Sequence, residues 1–477
     1  MKTKSILIIL LIQALIFKGN AQVVNFFHGS WGGKISAGGG ELRLVFHIKD
    51  NGNGGLVTTA DSPDQGAFGI KCDSTWVADK EITIEMRGVN AVYKGRLVSD
   101  TSIAGDFSQG GASIPLLLVK AATTAAVVKK PQEPKPPFPY KSEDIIYKDP
   151  KGSREYGATI TVPQGEGPFP AALLITGSGP HNRDEEMLGH KPFAVLADAL
   201  TRNGFVVLRV DDRGIGKTTG PFSGATTADF ADDARISLQY LQTRPEVDKK
   251  RTGLIGHSEG GMIAPMVAAK RSDINFIVLL AGPGVPISQL MAEQNAAIFR
   301  QAGISEPAIT SYISIYNNVS KNIVNATDSL TAVNKSIELI KNWRLKTDPG
   351  LLKELKVNGP ESDQQMAISF ASAMRDNWFR YFYSYDPSAD LQSLRCKVLA
   401  LNGSKDIQVL PSSNLPGIEA ALKKSKSKKY EIKELPGLNH LFQTCSTCSL
   451  SEYGQLEETF APAALEEINN WLNKNVK

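Results

Sequence analysis

The chain has 477 residues, 42% of them hydrophobic and 21% charged, a composition that buries apolar cores and excludes a disordered tail or a fibre. At roughly 100 to 200 residues per domain, this length predicts two to four domains. The formal charge of +4 is small for the size and gives no electrostatic reason to expect a nucleic acid or an anionic membrane as partner.

Lys2 and Lys4 make a basic start, Ile6 to Phe17 is apolar apart from Gln13, and Gly19-Asn20-Ala21 places small residues at positions −3 and −1 of a cut. This is the pattern of a secretory signal peptide over residues 1–21. The apolar run is shorter than the ~20 residues that span a bilayer, so no stable membrane anchor is expected. The mature protein is therefore expected to be secreted or periplasmic, and loss of Lys2, Lys4 and Lys18 leaves 50 basic against 49 acidic residues. Disulfides are permitted in such a compartment. Of Cys72, Cys396, Cys445 and Cys448, the pair in Cys445-Ser-Thr-Cys448 reads as a loop disulfide, because a single CxxC lacks the ligand count of a metal site.

From Gln22 to Lys120 the pattern has period two: Leu42, Leu44, Phe46 and Ile48 share one face, and Ile82, Ile84 and Met86 repeat the scheme between glycine-rich breaks. This predicts a small all-β domain, a barrel or a sandwich, with nothing in it that looks catalytic. Residues 121–141 change to Ala/Thr and then to a run with five prolines, which reads as a semi-rigid linker.

Beyond it, buried-type strand runs at 171–176, 205–210, 252–256, 275–280 and 397–401 alternate with helical patterns near 190–203, 228–243, 259–270, 411–424 and 459–474. That alternation predicts a doubly wound, mostly parallel α/β sheet. About 115 residues separate the strand ending at Leu280 from the one starting at Lys397, with helical spacing in 287–301, 308–343 and 364–382. Such a stretch far exceeds a normal connection, so it predicts an inserted helical cap at about 283–390.

The chemistry concentrates in Gly256-His-Ser258-Glu-Gly260, which follows a predicted strand and opens a predicted helix. A serine displayed on so sharp a turn needs glycine two residues away on either side to avoid neighbouring backbone. Its hydroxyl also needs a base oriented by an acid. Of the six histidines, His28 and His47 lie in the β-domain, His181 and His190 precede the serine, and His257 adjoins it and would point away. His440 alone follows the last predicted strand, 430–435. Asp406, after the strand at 397–401, is the acid, with Glu434 a weaker competitor inside a strand. For the oxyanion, the amide of Glu259 and one from Thr176-Gly-Ser-Gly-Pro180, assigned to Ser178, are the candidate donors. No metal or organic cofactor is implied. Asp184-Glu-Glu186 is a candidate partner for a substrate ammonium, and the aromatics at 378–383 read as core packing or as a pocket wall.

Three segments, Gly177-Ser-Gly-Pro180, Arg209-Val-Asp-Asp-Arg-Gly-Ile-Gly216 and Gly256-His-Ser-Glu-Gly260, give residues 142–477 a resemblance to the α/β-hydrolase superfamily, specifically to secreted bacterial cap-bearing serine esterases and the serine aminopeptidase-like branch. The order Ser258, Asp406, His440 is the one that superfamily uses. In it, the loop at 209–216 is structural. The resemblance implies a serine hydrolase cleaving a small-molecule ester or other acyl substrate through an acyl-enzyme. Two alternatives stand beside it: an exopeptidase of the same fold, and a glycan- or surface-binding protein with an inactive hydrolase domain. The sequence leaves the oligomeric state open.

Overall fold

The computed structural model describes residues 26–477 except 38–39, 53–54, 63–66, 110–111, 121–128, 358, 375 and 428. The expected signal peptide lies outside the described residues. Two compact units divide between Lys129 and Lys130.

The first unit is all-β. Its strands are β1 (Gly29–Ala37), β2 (Gly40–Asp50), β3 (Leu56–Ser62), β4 (Ala67–Lys71), β5 (Ser74–Ala78), β6 (Glu81–Met86), β7 (Ala91–Ser99), β8 (Ser102–Gln109) and β9 (Ala112–Lys120). They form one antiparallel sheet in the order β4-β3-β2-β1-β9-β8-β7-β6-β5. The alternating residues do what period two requires: Leu44, Phe46, Ile48, Ile82, Ile84 and Met86 are all buried, together with Trp31 and Tyr93. Near the two ends of the strand order, the Thr75 hydroxyl on β5 donates to that of Thr58 on β3 at 2.8 Å. The sheet therefore curls round a single core, as a barrel does, and does not divide into a two-sheet sandwich.

The second unit is built on an eight-stranded sheet, β10 (Lys141–Lys148), β11 (Glu155–Val162), β12 (Phe169–Ile175), β13 (Val206–Val210), β14 (Val247–His257), β15 (Phe276–Leu280), β16 (Lys397–Gly403) and β17 (Tyr430–Leu435), in the order β10-β11-β13-β12-β14-β15-β16-β17. The β10·β11 and β11·β13 pairs are antiparallel and the others parallel. On one face lie α1 (Pro192–Arg202) and the C-terminal α12 (Pro462–Asn475). The other carries α2 (Thr227–Leu241), α3 (Glu259–Ala268) and α11 (Pro411–Leu422). Central strands covered on both sides explain the unbroken apolar runs: every residue of β15 is buried. Strand β11 escaped the sequence reading because two of its buried residues are threonines. Their hydroxyls are satisfied sideways, Thr159 by Asp144 and Thr161 by Thr201, both at 2.6 Å.

Between β15 and β16 the chain forms a helical insertion: α4 (Ile287–Gln301), α5 (Glu306–Asn325), α6 (Ser329–Lys346), α7 (Pro349–Glu354), α8 (Pro360–Met374), α9 (Asn377–Ser384) and α10 (Ser388–Gln392). The stretch 308–343, helical in its spacing, forms two helices, because the Asp328 carboxylate accepts from the amides of Leu330 and Thr331 and caps a fresh helix there. The insertion has its own core of Ile315, Tyr316, Val319, Ile340 and Phe379.

The proline-rich segment reads from sequence as a semi-rigid linker over 121–141. From Lys130 onward it belongs to the second unit and is strapped to it. Lys130 Nζ lies 2.8 Å from His190 Nε2 and 3.0 Å from the Gly454 carbonyl, Gln132 donates to Phe460 O at 2.7 Å, and the Tyr140 hydroxyl donates to Asp198 at 2.8 Å. Prolines exclude regular pairing, but they leave side chains free to anchor. Among the described residues no helix is long and apolar enough to cross a membrane.

Candidate active site

Strand β14 ends at His257 and helix α3 begins at Glu259, so Ser258 alone makes the turn, with φ 53° and ψ −116°. Positive φ is sterically costly for any residue with a Cβ and persists only where the surroundings enforce it. Here the Ser258 amide donates to Leu280 O and the Ser258 carbonyl accepts from the Gly261 amide, each at 2.8 Å. The flanking glycines are spatial necessities. A Cβ on Gly256 would stand 1.9 Å from Gly260 O, and one on Gly260 would stand 2.1 Å from Ile175 O. Gly260→Ala is therefore expected to displace helix α3 from the sheet and to cost several kcal/mol, on the order of the larger core defects. A thermal melt within a few degrees of the parent would contradict this.

His440 sits in the loop after β17 and Asp406 in the loop after β16, and their side chains meet: Nδ1 of His440 lies 2.8 Å from Asp406 Oδ2. Both are buried. The other carboxylate oxygen of Asp406 accepts from the amides of Gln408 and Val409 at 2.8 and 2.9 Å, so the carboxylate is held in one orientation. Asn439, wholly buried, pins the His440 loop by accepting from the amides of Leu441 and Gln443. Glu434 is exposed on β17 and takes no part. The loop continues into the disulfide Cys445–Cys448, while Cys72 and Cys396 are free thiols.

The glycine-rich loop after β12 lies against the serine: a Cβ on Gly177 would be 3.3 Å from that of Ser258. Asp212, from the loop at 209–216, fastens it by accepting from the Thr176 hydroxyl and the His181 amide, both at 2.8 Å. The acidic run at 184–186 is fully engaged elsewhere. Asp184 pairs with Arg209, Glu186 accepts from Asn182, and Glu185 accepts from the Gly177 amide at 2.6 Å and meets His257 Nδ1 at 2.9 Å.

The carboxylate that sequence reading passed over is the side chain of Glu259. It is 2% exposed and accepts from the Thr227 hydroxyl at 2.6 Å and from the Trp378 indole of α9 at 2.9 Å, both on Oε1. Its Oε2 has no hydrogen-bond partner among the described residues. Burial raises the Glu259 pKa above the usual carboxylate range, and hydrogen bonding from Thr227, Trp378 and the Ser178 side chain offsets only part of that. The insertion also packs on α3 through apolar side chains: Phe382 and Leu290 join Met262, Met266 and Val409. The aromatics at 378–383 thus divide by face, Phe379 and Tyr383 into the insertion's core and Tyr381 and Phe382 toward α3, with Trp378 packed against both. This division follows helical periodicity, whereas the contact with Glu259 carries no local sequence signal.

The β-domain holds a second serine–histidine–aspartate row that the sequence reading missed. Ser30 Oγ is 2.8 Å from His47 Nδ1, and His47 Nε2 is 2.7 Å from Asp61 Oδ2. Antiparallel register makes Ser30 and His47 direct neighbours. They alternate with buried Trp31 and Phe46 and so point away from the core. Among the described residues no group of His, Cys, Asp and Glu is arranged to hold a metal ion.

Against known proteins, the family described as serine aminopeptidase, S33, matches residues 190–444, more than half of the chain. Esterase EstD of Thermotoga maritima is 34% identical over 155 residues, 31% of this chain and 37% of that protein. Human dipeptidyl peptidase 8 is 34% identical over 126 residues, 25% of this chain and 14% of that protein. The chain thus spans little more than a third of one curated relative and about a seventh of the other. Among solved structures, an esterase of Pyrococcus furiosus is 13% identical with a TM-score of 0.41, over 74% of this chain and all of that one. Est1E of Butyrivibrio proteoclasticus is 15% identical with a TM-score of 0.39, over 70% and 99%. With its sheet order and its strand–serine–helix turn inside the matched region, the chain belongs to the serine aminopeptidase family of α/β-hydrolases.

Proposed function

We propose that the protein is a serine hydrolase cleaving carboxylic esters through an acyl-enzyme. Ser258 Oγ attacks the ester carbonyl while His440 accepts its proton, and His440 then returns that proton to the departing alkoxide. Water, deprotonated by the same imidazole, releases the acid. Asp406 holds the ring with Nδ1 protonated. The amides of Glu259 and Ser178 stabilise the oxyanion, since the Gly177 amide is committed to Glu185. The observation that carries the reading is the Asp406–His440 pair, whose His440 carbonyl meets the ring of His257, the neighbour of a serine held at φ 53° on the turn into α3. The insertion at 283–390 acts as the cap, its α9 reaching Glu259 through Trp378. The work is done outside the cytoplasm, after loss of residues 1–21. The test is labelling of the purified protein by a fluorophosphonate, with the adduct mapped to Ser258, alongside hydrolysis of p-nitrophenyl acyl esters.

One observation favours the exopeptidase as a second reading. The buried Glu259 carries an oxygen without a donor among the described residues, and a substrate's free amino terminus would supply one. On that reading Glu259→Gln lowers kcat/KM on aminoacyl p-nitroanilides by at least ~10-fold, the scale of a lost charged hydrogen bond. Activity on simple acyl esters changes little. Equal loss on both substrate classes would eliminate it.

A further inference from the structure

His257 and Glu185 form a second buried histidine–carboxylate pair behind the serine. The His257 ring has both nitrogens engaged with acceptors: Nδ1 meets Glu185 Oε1 at 2.9 Å, and Nε2 meets the carbonyl of His440 at 3.0 Å. The same Glu185 oxygen accepts from the Gly177 amide at 2.6 Å. The two histidine rings lie 4.8 Å apart, and Glu185, His257 and His440 are each at most 5% exposed.

With Glu185 ionised, the ring makes both bonds by carrying protons on both nitrogens, as an imidazolium beside a carboxylate. Burial opposes both charges, but the mutual attraction outweighs it: the Glu185 pKa is lowered and that of His257 raised. Glu185 takes a positive φ of 51° to reach its place, a strain that the surroundings sustain. A buried ion pair is a poor source of net stability, because desolvation consumes most of the Coulomb gain. What this pair does supply is a covalent-like span between three segments: the glycine-rich loop through Gly177, the strand end that carries Ser258, and the loop that carries His440.

We propose that Glu185 and His257 are positioning residues that set the glycine-rich loop and the His440 loop at the correct spacing on either side of Ser258. The inference rests on the esterase reading above. Neither residue contacts substrate. They act by holding the backbone of two groups that do, where a misplacement of about 1 Å costs on the order of 100-fold in rate.

The test uses the full chain, with kcat and KM measured on a p-nitrophenyl acyl ester for Glu185→Ala and Glu185→Gln, each checked for folding by circular dichroism. Glu185→Ala is expected to lower kcat about 100-fold with KM within about threefold. Glu185→Gln is expected to recover at least about tenfold of that loss, because its carbonyl oxygen, standing where Oε1 stands, still accepts from the Gly177 amide and from His257 Nδ1–H. A folded Glu185→Ala with parental kcat, a loss confined to KM, or a Gln variant no better than Ala each overturns the proposal. If Glu185→Ala does not fold, His257→Asn replaces it: asparagine reaches Glu185 but falls short of the His440 carbonyl. The same loss in kcat alone is expected, and an unchanged kcat overturns the bridge. A parent protein that hydrolyses no ester and takes no fluorophosphonate overturns the esterase reading instead, a result distinct from an active parent with an equally active Glu185→Ala.

Discussion

Ser258→Ala is expected to reduce kcat on p-nitrophenyl esters by about 10⁵- to 10⁶-fold, the scale on which removing a serine nucleophile acts elsewhere, while leaving the fold intact. The substitution removes only Oγ. Alanine carries the same Cβ, so the cost of φ 53° is unchanged. The two backbone bonds that hold the turn, to Leu280 O and from Gly261 N–H, do not involve the hydroxyl. The thermal midpoint should therefore stay within about 2 °C, in the range of substitutions that break no packing or network. Fluorophosphonate labelling should vanish with the activity. Two outcomes sink the assignment: retention of more than a tenth of the parental kcat, or a label persisting on another serine. Ser30 is the informative control, because it too has a histidine and an aspartate in line but stands on the outward face of the β-domain sheet. Ser30→Ala should lose neither the label nor the activity.

Asp406→Asn should lower kcat by about 10⁴, as expected when the imidazole is held in the wrong tautomer. The local geometry makes the direction unambiguous. One oxygen of Asp406 accepts from two backbone amides, of Gln408 and Val409. An asparagine keeps its carbonyl there and is forced to turn its NH₂ toward His440 Nδ1, where Asp406 now stands at 2.8 Å. Nδ1 must then accept, the ring proton moves to Nε2, and the nitrogen needed to take the serine proton is blocked. The check is kcat at fixed pH together with the rate of Ser258 labelling, which should fall in parallel. A variant within about tenfold of the parent would remove Asp406 from its orienting role. The exposed Glu434 offers no substitute.

Much of this arrangement was legible beforehand, for definite reasons. Parallel strands covered on both faces must be continuously apolar, so β12 to β16 announced themselves. A nucleophile elbow needs glycine at fixed offsets, so Gly256 and Gly260 marked Ser258. Chain order then selected His440 from six histidines. Less was visible wherever polar residues are buried. Strand β11 hides behind threonines whose partners lie 15 and 40 positions away. The proline-rich stretch reads as a spacer until Lys130 and Gln132 are seen to bond partners more than 320 positions on.

The amino-acid order by itself determined the two-unit plan, the α/β class, the turn that displays Ser258 and the placing of Asp406 and His440 in the loops after the last two strands, because each depends on local periodicity, local sterics or chain order. Only the tertiary structure decided the charges around them. Glu185, which reads as one member of a solvated acidic run, is the buried partner of His257. Glu259, chosen for its backbone amide, brings a buried side chain with one oxygen unpartnered among the described residues, under α9. Those roles arise from burial and from partners distant in sequence, and a carboxylate's neighbours in space are not written in its neighbours along the chain.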